Sequence, residues 1–486
     1  MNKIIGEIVK ISGSNIQIYV QDGKIIEKAN TLNQSISYLS IGSLLGTKLF
    51  DQRTLVLIVS EIIDNGHMFI NCSISGVYDE TNNAFKFGTY SFPLIHEEVF
   101  FLDFEVLKAI FNQNKSNYYI GSYAYNENVK VSFDPNVLFC KHLGVFGNTG
   151  SGKTCTIVSF IQRFIRDNPS KDIKFIILDV NGEYRNAFKE DESRFIKFSD
   201  LRIRHNILSL PEYGRLFKSS EGVQYPALKS AIEELKKCNE SWDLFKLREE
   251  LEKWVSNNSG KKYDGTRDTY SYNNLYGYLR TLFLRVDQVC SDDQLMAAIN
   301  SNDGEEIIDI IKKEEKKVFI IDLQVSTDTL DIILFLLFKS FYKNKTLNEN
   351  PISSQLSLVL EEAHRYINVN VDETKLGNYY IDKLAREGRK FCIGLIISSQ
   401  IPSMLNYEII SQCNSVIMHK ITNYRDLEYL KNVLRISNNL FFLQMSALEK
   451  QYAIVSGEAF TNDCLVKINT AEPLPKSNDP IIKEKN

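Results

Sequence analysis

The chain contains no C-x-x-C pair, although eight cysteines are scattered through its 486 residues, at 72, 140, 155, 238, 290, 392, 413 and 464. Without thiols at ligand spacing there is no zinc set, and isolated cysteines point to reduced thiols in a cytosolic protein. Also missing is an apolar stretch of about 20 residues, the length that crosses a bilayer. The most apolar run, Leu330–Tyr342, carries Asp331 and Lys339 and reads as a buried helix, so no membrane anchor is expected. Glu7 and Lys10 interrupt the first apolar stretch, which removes the uninterrupted core of a signal peptide. Nor is there an excess of positive charge. The formal net charge is −4, so any contact with nucleic acid requires a local basic surface or one made by assembling several copies. Internal repeats and low-complexity tracts are absent.

What is present falls into two patterns. The first hundred residues are rich in short strands: Ile4–Lys10, Asn15–Val20, Thr54–Ile63, His67–Val77 and Phe85–Phe92, punctuated by glycine and asparagine. Strands this short and closely spaced predict a small β-barrel over residues 1–95, with a connecting segment at 96–119 in which Glu97–Phe111 reads as a helix. From about residue 120, strands alternate with helices, the signature of a parallel sheet in an α/β fold. Candidate strands are Leu143–Gly147, Phe175–Val180, Val318–Leu323, Ser357–Glu361 and Ile393–Ser398, with Val416–His419 as a further one. Residues 201–315 interrupt this core, which therefore spans 120–200 and 316–472. Leu228, Ile232 and Leu235, then Leu244, Leu247, Leu251 and Trp254, recur at spacings of three and four, which predicts a helical insertion subdomain. Residues 473–486 are polar and read as a flexible tail.

The chemistry begins at His142–Thr154. An apolar strand is followed by Gly147, Asn148, Thr149, Gly150, Ser151, Gly152, Lys153 and Thr154, a complete phosphate-binding loop, and then by a helix that starts near Cys155. Glycines let successive backbone N–H groups face phosphate oxygens, Lys153 neutralises the β and γ phosphates, and Thr154 offers a hydroxyl to Mg²⁺. The expected substrate is ATP with Mg²⁺. Leu356–His364 is a buried strand ending in two carboxylates. Glu361 would serve the Mg²⁺ shell and Glu362 would polarise the attacking water. His364 is either a relay or a structural hydrogen-bonding group. Gln400 closes another apolar strand and either holds the lytic water and senses the γ-phosphate or merely caps the strand. Leu384–Lys390 concentrates cations. Arg386 or Arg389 would stabilise charge in a neighbouring subunit's site, and a solvated face is the alternative. Asp179 ends the second strand ahead of a turn through Gly182, Glu183 and Tyr184.

Together these segments resemble the HerA family within the FtsK–HerA group of P-loop motor ATPases. The resemblance rests on KHLGVFGNTGSGKT at 141–154, LDVNGEY at 178–184, VLEEAH at 359–364 and AREGRKFCIGLIISSQIPS at 385–403, and extends over nearly the whole chain. It implies a RecA-like core and a homohexameric ring with ATP sites between subunits. Such rings pull double-stranded DNA through a central channel. It also implies a partner on the barrel side, either a NurA-like nuclease or, in anti-phage systems, a sirtuin-type enzyme or another nuclease. By the same resemblance Glu362 is the catalytic carboxylate, Gln400 the sensor, Arg386 and Arg389 the trans-acting candidates, and Lys141 and Glu183 lie near the nucleotide. Glu361 stands where the family has aspartate. A different reading is a ring-shaped scaffold that turns over nucleotide slowly and regulates an effector enzyme. A secretion or conjugation ATPase of the same wider group is a third, disfavoured by the lack of membrane spans.

Overall fold

The computed structural model describes residues 4–20, 39–112, 118–168, 172–238, 242–258, 269–300, 303–367, 376–434 and 440–476. At the N-terminus lie β1 (Ile4–Ser12), β2 (Asn15–Val20), β3 (Leu44–Lys48), β4 (Thr54–Asp64), β5 (Met68–Asp79), β6 (Ala84–Phe87) and β7 (Glu98–Phe101). Antiparallel pairing runs β2-β1-β7-β3-β4-β5, and β5 returns to β2, so six strands close into a barrel with β6 attached outside to β5. Alternation supplies the interior: Ile16, Ile18 and Val20 of β2 face inward with Leu55, Leu57 and Val59 of β4 and Ile70 and Cys72 of β5.

The segment expected to begin a helix at Glu97 opens instead with β7, which fills the gap between β1 and β3. Val99 on this strand is buried in the barrel interior, and only Phe104–Phe111 is helical. Barrel closure outweighs local propensity here, because β1 and β3 would otherwise expose unpaired backbone edges.

The second sheet contains β8 (Tyr119–Tyr123), β9 (Asn126–Ser132), β10 (His142–Phe146), β11 (Ile173–Asp179), β12 (Ser193–Ile196), β13 (Val318–Asp322), β14 (Gln355–Leu360), β15 (Ile393–Ser399), β16 (Ser415–Met418), β17 (Tyr452–Gly457) and β18 (Cys464–Ile468). Its order is β12-β13-β11-β14-β15-β10-β16-β17-β18-β8-β9. Every pairing from β12 to β16 is parallel, and those from β16 to β9 are antiparallel. The central strands are buried along their whole length, which explains their unbroken apolar runs. Barrel residues Val56, Ile58, Phe100 and Leu102 share a core with Val129, Val131 and Val466, so the barrel packs on the antiparallel end of this sheet.

Helices at Leu210–Leu216, Gln224–Cys238, Leu244–Asn258, Thr269–Cys290, Asp293–Ile299 and Ile307–Lys313 lie between β12 and β13. Leu228, Ile232, Leu244, Leu247 and Leu251 are buried, as their spacing requires. The Leu330–Tyr342 run lies within the helix Thr327–Leu347, capped by Ser326, whose side chain accepts from the Thr329 amide. Among the described residues no helix is long and apolar enough to cross a membrane. The tail expected from 473 lies mostly outside the described residues.

Candidate nucleotide site

The site occupies the C-terminal edge of the parallel strands, where an open α/β sheet binds ligands. After β10 the chain enters the phosphate-binding loop. Gly150 and Gly152 adopt left-handed φ values of 71° and 111°, and a Cβ on Gly150 would meet nothing. The loop is thus an open cradle leading into the helix Lys153–Asp167. Lys153 is 6% exposed, and its ammonium donates to the carbonyls of Gly147 at 2.9 Å and Asn148 at 3.2 Å. Burial lowers its pKa, against the opposing pull of Glu362, Glu183 and Glu361. This cation, with no carboxylate in direct contact, fits a triphosphate. Asn148 anchors the loop laterally, donating to the Thr422 hydroxyl at 2.7 Å. Cys155 occupies the first helical turn and is half-buried.

Glu362, just beyond β14, adopts a left-handed φ of 44°, uncommon for a residue with a side chain. Three donors converge on its carboxylate: the Gln400 backbone N–H at 3.3 Å, the Gln400 side-chain amide, and His364 Nδ1 at 3.2 Å. Burial pushes the Glu362 pKa up. The His364 hydrogen bond, the Lys153 charge and the Gln400 amide outweigh it, and the group is held ionised below the usual glutamate range. Gln400 in turn accepts from the Thr149 hydroxyl, so one hydrogen-bonded chain runs from the phosphate loop through Gln400 to Glu362. The same Nδ1 of His364 also lies 3.2 Å from the Ser399 hydroxyl, so Glu362 and Ser399 share one ring nitrogen.

Two expected placements change. Glu361, read as the metal-shell carboxylate, does not meet Thr154. It is 2% exposed, and burial, with Asp179 and Glu183 next in effect, raises its pKa well above the ordinary value. The Thr154 hydroxyl donates instead to Glu183, at 2.7 Å. The Glu361 carboxyl lies in buried ground beside Asp179. A buried carboxyl that does not meet Thr154 predicts that Glu361→Gln retains ATP turnover within about threefold of the parent in a steady-state assay, whereas loss of a metal ligand would cost about a hundredfold.

Lys141, expected near the nucleotide, precedes β10 at the opposite edge of the sheet and pairs with Glu458. A five-residue strand, about 3.3 Å per residue, separates it from its own phosphate loop. Arg386 and Arg389 precede β15 on that same edge. Arg386 is exposed and pairs with Asp382 and Glu408. None of these three cations reaches the nucleotide site of its own chain.

Sequence reasoning missed His419, at the end of β16. It is fully buried beneath the loop, and a Cβ on Gly147 would fall 2.6 Å from its own Cβ. Its Nε2 meets the Thr156 hydroxyl at 3.0 Å, and burial followed by the Lys153 charge lowers its pKa to about 3, so it supports the loop as a neutral ring. Only the register of β16 against β10 brings it there, and no local motif announces it.

The fold and this site define an ATP-hydrolysing P-loop enzyme. Residues 118–340 match the family model described as Helicase HerA, central domain. A probable helicase of Methanocaldococcus jannaschii is 24% identical, covering 96% of this chain and 95% of its own. A probable DNA double-strand break repair helicase HerA of the same organism is 25% identical over 92% of this chain and 95% of its own. Among solved structures, VirB4 of Thermoanaerobacter pseudethanolicus shares the fold at 13% identity with a TM-score of 0.52, over 73% of this chain and 97% of that one. Over most of its length the chain is similar to helicases of the HerA type.

Proposed function

We propose that the chain works as a homohexameric translocase of double-stranded DNA whose ATP sites lie between subunits. The observation that carries this reading is the split of the machinery across the sheet. The loop, Glu362 and Gln400 sit on one edge, while Lys141, Arg386 and Arg389 sit on the other, beyond reach of their own loop. In a ring, one subunit's cations would face the next subunit's ATP. Lys153 and the loop amides bind the triphosphate, Glu362 accepts the proton of the attacking water, and Gln400 passes the state of the γ-phosphate between Thr149 and Glu362. Arg386 or Arg389 stabilises the charge that develops on the neighbour's nucleotide. The Thr154 hydroxyl would hold Mg²⁺ arriving with the nucleotide, and the ion would supply neutralising charge there.

The N-terminal barrel, set beside a RecA-like core with its helical insertion, is the face on which a partner enzyme docks, a NurA-like nuclease or a sirtuin-type effector. The setting is cytoplasmic, in DNA end processing or defence against phage. Support for DNA as substrate comes from relatives named as DNA repair helicases. Duplex DNA added to the purified assembly is expected to raise ATP turnover at least about fivefold. An identical rate with and without DNA would favour the regulatory scaffold over the motor.

A further inference from the structure

Three carboxylates lie near Thr154, and the geometry separates them. Asp179 is fully buried, and its two oxygens accept the backbone N–H groups of Gly182 at 2.7 Å, Glu183 at 3.1 Å and Tyr184 at 3.0 Å. These three bonds tie it to the turn after β11, and a side-chain hydrogen bond joins it to Glu361. Glu361 lies behind it at 2% exposure, with Oε2 enclosed and lacking a hydrogen-bond partner. Both are more deeply buried than Glu183.

Glu183 differs on each count. It is half-buried, like Thr154, and its Oε2 accepts from the Thr154 hydroxyl at 2.7 Å. Its backbone is held from two sides, by the Asp179 carboxylate at its N–H and by the Lys476 amide at its carbonyl, 2.9 Å away. Gly182 before it has a left-handed φ of 76°, and a Cβ there would fall 2.2 Å from the Gln324 amide nitrogen. The turn therefore requires glycine at 182 and presents Glu183 in one place. Among the described residues no group of three histidine, cysteine or acidic side chains could hold a metal by itself. That suits Mg²⁺, which keeps several waters and is commonly bound by one or two protein oxygens together with substrate phosphates.

We propose that Glu183, from the strand beside the usual acidic strand, is the carboxylate that joins Thr154 around the nucleotide's Mg²⁺, and that Glu361 has a structural role. The proposal rests on the ATP-hydrolysing reading of the site. Glu183 accepts a hydrogen bond from the Thr154 hydroxyl, which places the two oxygens side by side. Together the two side chains would hold Mg²⁺ when it arrives with the nucleotide.

The test is Mn²⁺ binding to the full chain in the presence of ADP, followed by the electron-spin signal of free Mn²⁺. ADP affinity in EDTA is measured in parallel. Glu183→Gln is expected to weaken Mn²⁺ binding by about tenfold or more, Glu183→Asp to recover part of that loss, and Glu361→Gln to stay within about twofold of the parent. All three should bind metal-free ADP as the parent does, which shows that the loop is folded. The proposal is overturned if Glu183→Gln binds Mn²⁺ as the parent does, or if Glu361→Gln carries the loss instead. Failure of the parent to bind ADP under either condition would overturn the ATPase reading as well.

Discussion

Lys153→Ala is expected to lower ATP turnover by about a thousandfold, the largest effect of any single substitution in the chain. Its ammonium is the cation at the floor of the loop, where it donates to the carbonyls of Gly147 and Asn148. Alanine leaves those carbonyls facing the nucleotide with nothing to offset its negative charge. The loss should therefore appear in binding as well as in turnover. Unfolding is not the expected cause. Burial holds the lysine's pKa below its ordinary value, so its charge costs the empty fold stability at neutral pH. The variant should melt no lower than the parent without nucleotide, and the rise in melting temperature that ATP gives the parent should disappear. A variant that melts lower and still hydrolyses ATP would contradict this role.

Glu362→Gln is expected to reduce kcat by about a hundredfold to a thousandfold while nucleotide affinity stays near that of the parent. The carboxylate does not touch the lysine directly, and it is held ionised by His364, Lys153 and Gln400 against the cost of burial. An amide in its place cannot accept the proton of the attacking water. Its NH₂ would also oppose the Gln400 donors that now converge on the carboxylate. The variant should bind ATP and stall before hydrolysis, which single-turnover measurement with labelled ATP reads directly. The contrast with Glu361→Gln, one residue earlier, separates a working carboxylate from a buried one.

Much of this site is legible from residues close in sequence, because each motif ends a strand and the strands are parallel. Apolar runs at 143–147, 357–361 and 393–398 imply that their polar ends gather on one edge, and the structure brings Thr149, Glu362 and Gln400 together there. What local pattern does not carry is long-range register. The partner of Thr154 comes from a turn 29 residues later, set by Asp179 and by the space Gly182 leaves for Gln324. Strands β3 and β7 escaped notice because they are short and largely buried, without the alternation that marks a half-exposed strand. They exist because closure of the barrel supplies partners on both sides. The distance of Lys141 from its own loop has a related cause. Adjacency to the loop in sequence becomes separation by a full strand once β10 is extended.

The central claim is that hydrolysis at this site drives movement along duplex DNA. Displacement of a short third strand from a linear duplex tests it most directly, because stripping requires an advancing motor and no unwinding. The parent with ATP and Mg²⁺ is expected to release the third strand, and Glu362→Gln is expected to leave it bound. Release by Glu362→Gln at the parent's rate, or ATP turnover by the parent with the third strand still in place, would contradict the account.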